Sequence, residues 1–119
     1  MANQVVHFEV IGQDPAALRS FYAQAFDWEV GPPMAEAQGY AMARPRGEGG
    51  IAGGIGGGTE GYGGHVMFYV ETPDLDATLE KIESLGGKTM MPPDKVPGGP
   101  TFALFTDPEG HVIGLVKTE

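Results

Sequence analysis

Two stretches of this chain alternate apolar and polar residues and then switch to a period of three to four. In VVHFEVIGQDPAALRSFYAQAFDW (5–28), Val6, Phe8 and Val10 fall on one face of a strand and His7, Glu9 and Ile11 on the other. An Asp/Pro turn follows, and Leu18, Phe21, Tyr22 and Phe26 then recur at helical spacing, with Asp14 as N-cap and Pro15 at the first helical position. GHVMFYVETPDLDATLEKIESLGG (64–87) repeats the arrangement. Val66, Phe68 and Val70 oppose His65, Met67, Tyr69 and Glu71, Thr72 or Asp74 caps a helix with the stripe Leu75, Leu79, Ile82, Leu85, and Gly86 stops it. A histidine opens both runs, and the similarity of the two segments points to duplication.

Shorter strand candidates follow each helix: 40–44 and 51–55 in the first half, then 88–91, 101–106 and 111–116 in the second. Strand, helix and further strands, twice over, predict an α+β domain with a mainly antiparallel sheet and helices on one face. The Val/Phe/Val faces should meet the helices, so His7, Glu9, His65, Met67 and Tyr69 should point away from them. On the last strand Ile113 and Leu115 read as helix-side positions, which puts Val112, Gly114 and Val116 with the histidines. A glycine inside a strand weakens it and marks a bulge, a close approach or a nearby ligand.

Composition narrows the picture. At 119 residues the chain fits one domain, and 41% hydrophobic residues support a folded core despite twenty glycines and ten prolines. A net charge of −9, with only seven scattered Lys and Arg, argues against nucleic acid or an anionic membrane surface as partner. The absence of cysteine removes disulfides, thiolate metal sites and a Cys nucleophile. The N-terminal residues show no export signal and no stretch approaches a membrane span, so a cytoplasmic protein is expected.

The His-led strands, DPAALRSFYAQAFDW, the second helix ending LGG and the closing TDPEGHVIGLV together resemble the vicinal oxygen chelate superfamily, the glyoxalase, bleomycin-resistance and extradiol-dioxygenase group. The resemblance implies two βαβββ modules, about 1–58 and 63–119, forming a cup-shaped mixed sheet with helices on its outer face. It also implies a homodimer. In metal-dependent members a divalent ion is held by a residue on the first strand, a His opening the second half, and acids on the closing strand of each half. His7 and His65 match the first two positions. The last acid falls on Gly114, and the other would sit near 52–56, where no carboxylate exists. Two imidazoles alone hold a divalent ion weakly. Glu9, two residues from His7 on the same face, lies roughly 6–7 Å along the strand, too far to be presumed a co-ligand. No resident cofactor is expected, and a glutamate at position 114 should be tolerated and should restore a His/His/carboxylate set.

The resemblance thus leads to a glyoxalase-like protein binding a small organic ligand, a lyase or isomerase with His7, Glu9, His65 or Tyr69 as acid–base groups. Tyr40, Met42, Met67, Phe102 and Gly114 are the candidate ligand-lining positions. Two alternatives stand beside it: a non-catalytic protein sequestering a drug or metabolite, and a metal-dependent lyase or dioxygenase with an incomplete or intersubunit ligand set. The glycine run 47–64 reads as a flexible connection and a glycine-lined edge strand, able to act as a lid. Its GxGxxG match at 56–61 has neither a following helix nor a basic residue, which argues against a dinucleotide site. MMPPDKVPGGPTF (90–102) reads as a rim loop, and His111 as exposed.

Overall fold

The computed structural model describes residues 2–34 and 39–118. The chain forms two compact units, His7–Val66 and Met1–Val6 with Met67–Glu119. In chain order the elements are β1 (Val5–Gly12), α1 (Pro15–Phe26), β2 (Glu29–Val30), β3 (Ala41–Arg44), β4 (Ala52–Gly57), β5 (His65–Thr72), α2 (Leu75–Ser84), β6 (Lys88–Lys95), β7 (Thr101–Thr106) and β8 (Val112–Lys117). Each half is therefore strand, helix and three strands, the α+β pattern that the repeat predicts.

In the first half the strands lie in the order β2-β3-β4-β1, with β1 and β4 parallel and the other pairs antiparallel. The second half orders as β5-β8-β7-β6, again with one parallel pair, β5 and β8. The Asp/Pro turns work as their chemistry dictates. Asp14 accepts the Ala17 N–H at 3.1 Å and Asp74 the Ala77 N–H at 3.0 Å, each satisfying a helix-end donor that has no partner within the helix.

The helix-facing side of the first unit buries Val10, Ala43 and Ile55, with Phe8, Leu18, Tyr22, Trp28 and Val30 packed around them. In the second, Leu75, Leu79, Ala103 and Leu115 form the cluster, joined by Val70, Ile82 and Phe105. The face assignments for Val10, Val70 and Leu115 hold. Others do not. Phe21, Phe26, Leu85, Phe68 and, at 75%, Val66 are exposed, because the helices cover less of the apolar stripes than the periodicity marks out.

Two further expectations are corrected. The glycine-lined strand β4 is not an edge: it lies between β3 and β1. MMPPDK is not a loop but most of β6, which ends its half-sheet and shifts register around Met91. Prolines are tolerated there because an edge strand can leave ladder positions undonated.

Candidate functional site

On the face of β1 turned away from α1, His7 stands opposite Ala52 and Glu9 opposite Gly54. Tyr40, just before β3, lays its ring over β4. A Cβ built on Gly54 would lie 1.8 Å from the Tyr40 phenol oxygen, and one on Gly56 2.9 Å from the ring. Both glycines are buried. Only the absence of side chains lets the ring lie on the strand and reach His7, whose Nε2 is 2.7 Å from the Tyr40 hydroxyl. The two rings are stacked, 17° apart in plane. Burial holds the His7 imidazole below its ordinary 6.5, and Glu9 opposes that by favouring the charged ring. Gly53 serves the other face: a Cβ there would meet the Phe8 ring at 2.4 Å.

The second imidazole is held at both nitrogens. His65 Nε2 lies 2.7 Å from Glu9 Oε2, and Nδ1 is hydrogen-bonded to the Tyr62 hydroxyl. An ionised carboxylate can only accept, so Nε2 carries the hydrogen and donates it to Glu9. That leaves Nδ1 as the acceptor of the Tyr62 O–H. The Glu9 side chain is 12% exposed and His65 31%, so the carboxylate is the shielded end and the imidazole the more open one. Tyr62, 41% exposed, completes the row.

In the second unit the tyrosine-over-glycine arrangement recurs. Tyr69 on β5 pairs in register with Gly114 on β8, and a Cβ on Gly114 would lie 2.3 Å from Tyr69 Cδ2. Phe102 packs edge-on to Tyr69, with centroids 6.5 Å apart. Gly114 thus lies on the face opposite the helix cluster, as its spacing predicts, but as the seat of an aromatic ring. The expectation that a glutamate would fit there is overturned, because the carboxylate's own Cβ would overlap Tyr69. Met67 is buried and Met42 half-buried, while His111 is exposed on the closing turn, where Asp107 accepts its ring and backbone N–H.

These contacts test the chelate that the resemblance implies, and the residues do not fit it. His7 Nε2 faces a phenol, both nitrogens of His65 are taken, and the acid positions are glycines covered by tyrosines. No three His, Cys, Asp or Glu side chains among the described residues group to hold a metal ion. In the first unit His7 instead bonds to Tyr40, and His65 bonds to both Glu9 and Tyr62, while Tyr69, Phe102 and Gly114 cluster in the second. A cleft of about 520 Å³, lined by Lys95, Thr101 and Lys117 among others, includes none of them. Lys95 there donates to the Gly99 carbonyl and closes its own turn.

Tyr62 is the residue that sequence reasoning missed. The glycines around it suggested a connection without a site. The available signal was its position three residues before His65, on a segment whose glycines permit a sharp return.

The Glyoxalase/Bleomycin resistance protein/Dioxygenase superfamily model matches residues 4–115. A protein of Mycobacterium tuberculosis named "Putative glyoxylase CFP32" is 31% identical over 106 residues, 86% of this chain and 41% of that protein. The "Probable lactoylglutathione lyase" of Synechocystis is 38% identical over 56 residues, 46% of this chain and 41% of its own length. This chain therefore spans about two-fifths of the curated relatives it matches. Among solved structures, methylmalonyl-CoA epimerase from Mycobacterium tuberculosis superposes with a TM-score of 0.72 at 13% identity, covering 97% of this chain and 87% of that one. A Streptomyces coelicolor methylmalonyl-CoA epimerase gives 0.72 at 19%, covering 99% and 96%. At such identities the likeness is one of fold.

Proposed function

Because the chain belongs to the glyoxalase/bleomycin resistance protein/dioxygenase superfamily, we propose that it binds a small carbonyl-containing molecule and moves a proton at the carbon beside the carbonyl, as a lyase or isomerase, with side chains in place of a chelated metal. The observation that carries this reading is the Glu9–His65 pair. A shielded carboxylate hydrogen-bonded to one nitrogen of an imidazole fixes its tautomer and stabilises the imidazolium formed when the other nitrogen gains a proton. His7 and Tyr40 supply a second pair on the same face of β1. Held neutral by burial, His7 is hydrogen-bonded through Nε2 to the Tyr40 hydroxyl and fixes the position of that phenol on the same face. Relatives named as a glyoxylase and a lactoylglutathione lyase support a carbonyl substrate.

The test is exchange of substrate hydrogen for solvent deuterium, followed by proton NMR over a panel of 2-oxo acids, 2-oxo aldehyde–thiol adducts and malonyl-type thioesters, with EDTA present throughout. At least one compound should exchange, and His65→Gln should slow it by about 10²- to 10⁴-fold, the usual contribution of a positioned acid–base group. Compounds that raise the melting temperature without exchanging would instead favour the non-catalytic binder. Exchange that EDTA abolishes and a divalent ion restores would sink the metal-free reading.

A further inference from the structure

His65 has no open ring nitrogen. Nε2 is held by Glu9 and Nδ1 by Tyr62, so a proton leaving a ligand can reach the ring only through the Tyr62 oxygen or after Tyr62 has moved away. The surroundings of Tyr62 favour the first route. Its N–H donates to the Thr59 carbonyl at 2.9 Å, closing a turn. Its ring sits against Gly58, where a Cβ would lie 2.4 Å from Cδ2, and meets the His65 ring edge-on at 5.7 Å. These contacts hold the Tyr62 backbone in its turn and brace the ring between Gly58 and His65 while leaving 41% of the residue exposed.

We propose that Tyr62 is the catalytic residue of this site, the terminal member of a Glu9–His65–Tyr62 proton relay. The proposal rests on the acid–base reading above. In the forward step the substrate C–H bond breaks and its electron pair stays on the substrate as an enolate. The Tyr62 oxygen takes the released proton while its own hydrogen passes to His65 Nδ1. The imidazolium so formed already donates Nε2–H to Glu9, so its charge meets a carboxylate at 2.7 Å. Return of a proton by the same path restores all three groups, and no oxidant, reductant or further reactant is consumed. The hydroxyl plays the part that a serine plays at the end of an Asp–His pair, with the difference that it exchanges protons and forms no covalent bond to the substrate.

Two measurements on the intact chain test this. In the deuterium-exchange assay Tyr62→Phe should lower kcat by 10²-fold or more with KM changed less than about threefold, and the melting temperature should stay within a few degrees of the parent. Nitrogen-15 NMR of the neutral His65 ring, which needs no substrate, should show its hydrogen on Nε2 and none on Nδ1, with the Nδ1 shift moving in Tyr62→Phe. A parent that exchanges substrate while Tyr62→Phe keeps more than half the rate overturns the relay and leaves the acid–base reading standing. Should no compound exchange, the acid–base reading fails on its own account, and the nitrogen spectrum still judges the relay: a hydrogen on Nδ1 overturns it.

Discussion

Replacing Gly114 by alanine separates a strand glycine that is merely weak from one that seats a ring. Removing a glycine from a strand interior ordinarily gains about 0.5–1 kcal/mol, because alanine loses less backbone freedom on folding. Here the added carbon would stand 2.3 Å from Tyr69 Cδ2 and 2.4 Å from Cε2. Carbon atoms rest about 3.5–4.0 Å apart, so the ring must retreat by more than about 1 Å. Tyr69 is the register partner on the adjacent strand and is braced by Phe102, so it cannot swing away cheaply. Overpacking of this kind costs about 1–3 kcal/mol, which for a chain of this size lowers the melting temperature by about 3–15 °C. Thermal and urea unfolding of the parent, Gly114→Ala, Tyr69→Ala and the double variant would measure it. The double variant should be more stable than the two single losses added together, with a coupling of about 0.5–3 kcal/mol. A Gly114→Ala protein as stable as the parent, or a double variant that is simply additive, would refute the claim that the ring needs the glycine.

Two further outcomes follow from the first unit. His7 titrates below 6.5 in the folded protein, so as pH falls the unfolded chain takes up that proton first. Stability should decline from about pH 6.5 downward until the folded imidazole protonates as well. Urea midpoints at pH 7.5 and 5.5 should converge in His7→Gln relative to the parent, and an unchanged difference would show that His7 is not the group responsible. Divalent nickel, zinc or manganese should raise the melting temperature little, whereas a tight site would add about 4 kcal/mol at a thousandfold excess over Kd. Stoichiometric metal that survives dialysis and is lost in His65→Ala would contradict the fit drawn from the Tyr40, Glu9 and Tyr62 contacts.

The βαβββ pattern was legible because its determinants are local. Asp14–Pro15 and Asp74 cap helices through their own side chains, and the alternation through Val10 and Leu115 sets which face is buried. Helix coverage was not legible, since periodicity marks an apolar stripe and says nothing of how far its partner extends; Phe21, Phe26, Val66 and Phe68 are exposed for that reason. The order of β4 was hidden too. Five glycines in the stretch 53–58 look like an edge or a linker, yet Gly53, Gly54 and Gly56 are buried within an interior strand. Their cause lies far away in sequence, in the rings of Phe8 and Tyr40, and no local rule pairs a glycine with a distant aromatic.

The same physics explains why the histidines could be placed and their partners could not. His7 and His65 both lie near the start of a strand that opens a module, on the face away from the helices, but the strands Val5–Gly12 and His65–Thr72 repeat at an offset that pairs His65 with Val5 and His7 with Met67. Whether an imidazole ends as a ligand or as a hydrogen-bonded base depends on what fills the neighbouring positions. A carboxylate at 54 and another at 114 would each need a Cβ in space now taken by a tyrosine ring. Tyrosine over glycine and carboxylate on the strand are therefore mutually exclusive at both places, although the rings come from different elements, Tyr40 just before β3 and Tyr69 on β5. Restoring one acid would not restore a chelate, since the ring has to leave with the glycine. That argues for testing Gly54→Glu only together with Tyr40→Ala, and Gly114→Glu only together with Tyr69→Ala. In the paired variants each new carboxylate has room. In the single ones its Cβ would stand only 1.8 Å or 2.3 Å from a tyrosine side chain in a buried strand, and loss of folded protein should precede any gain of metal affinity.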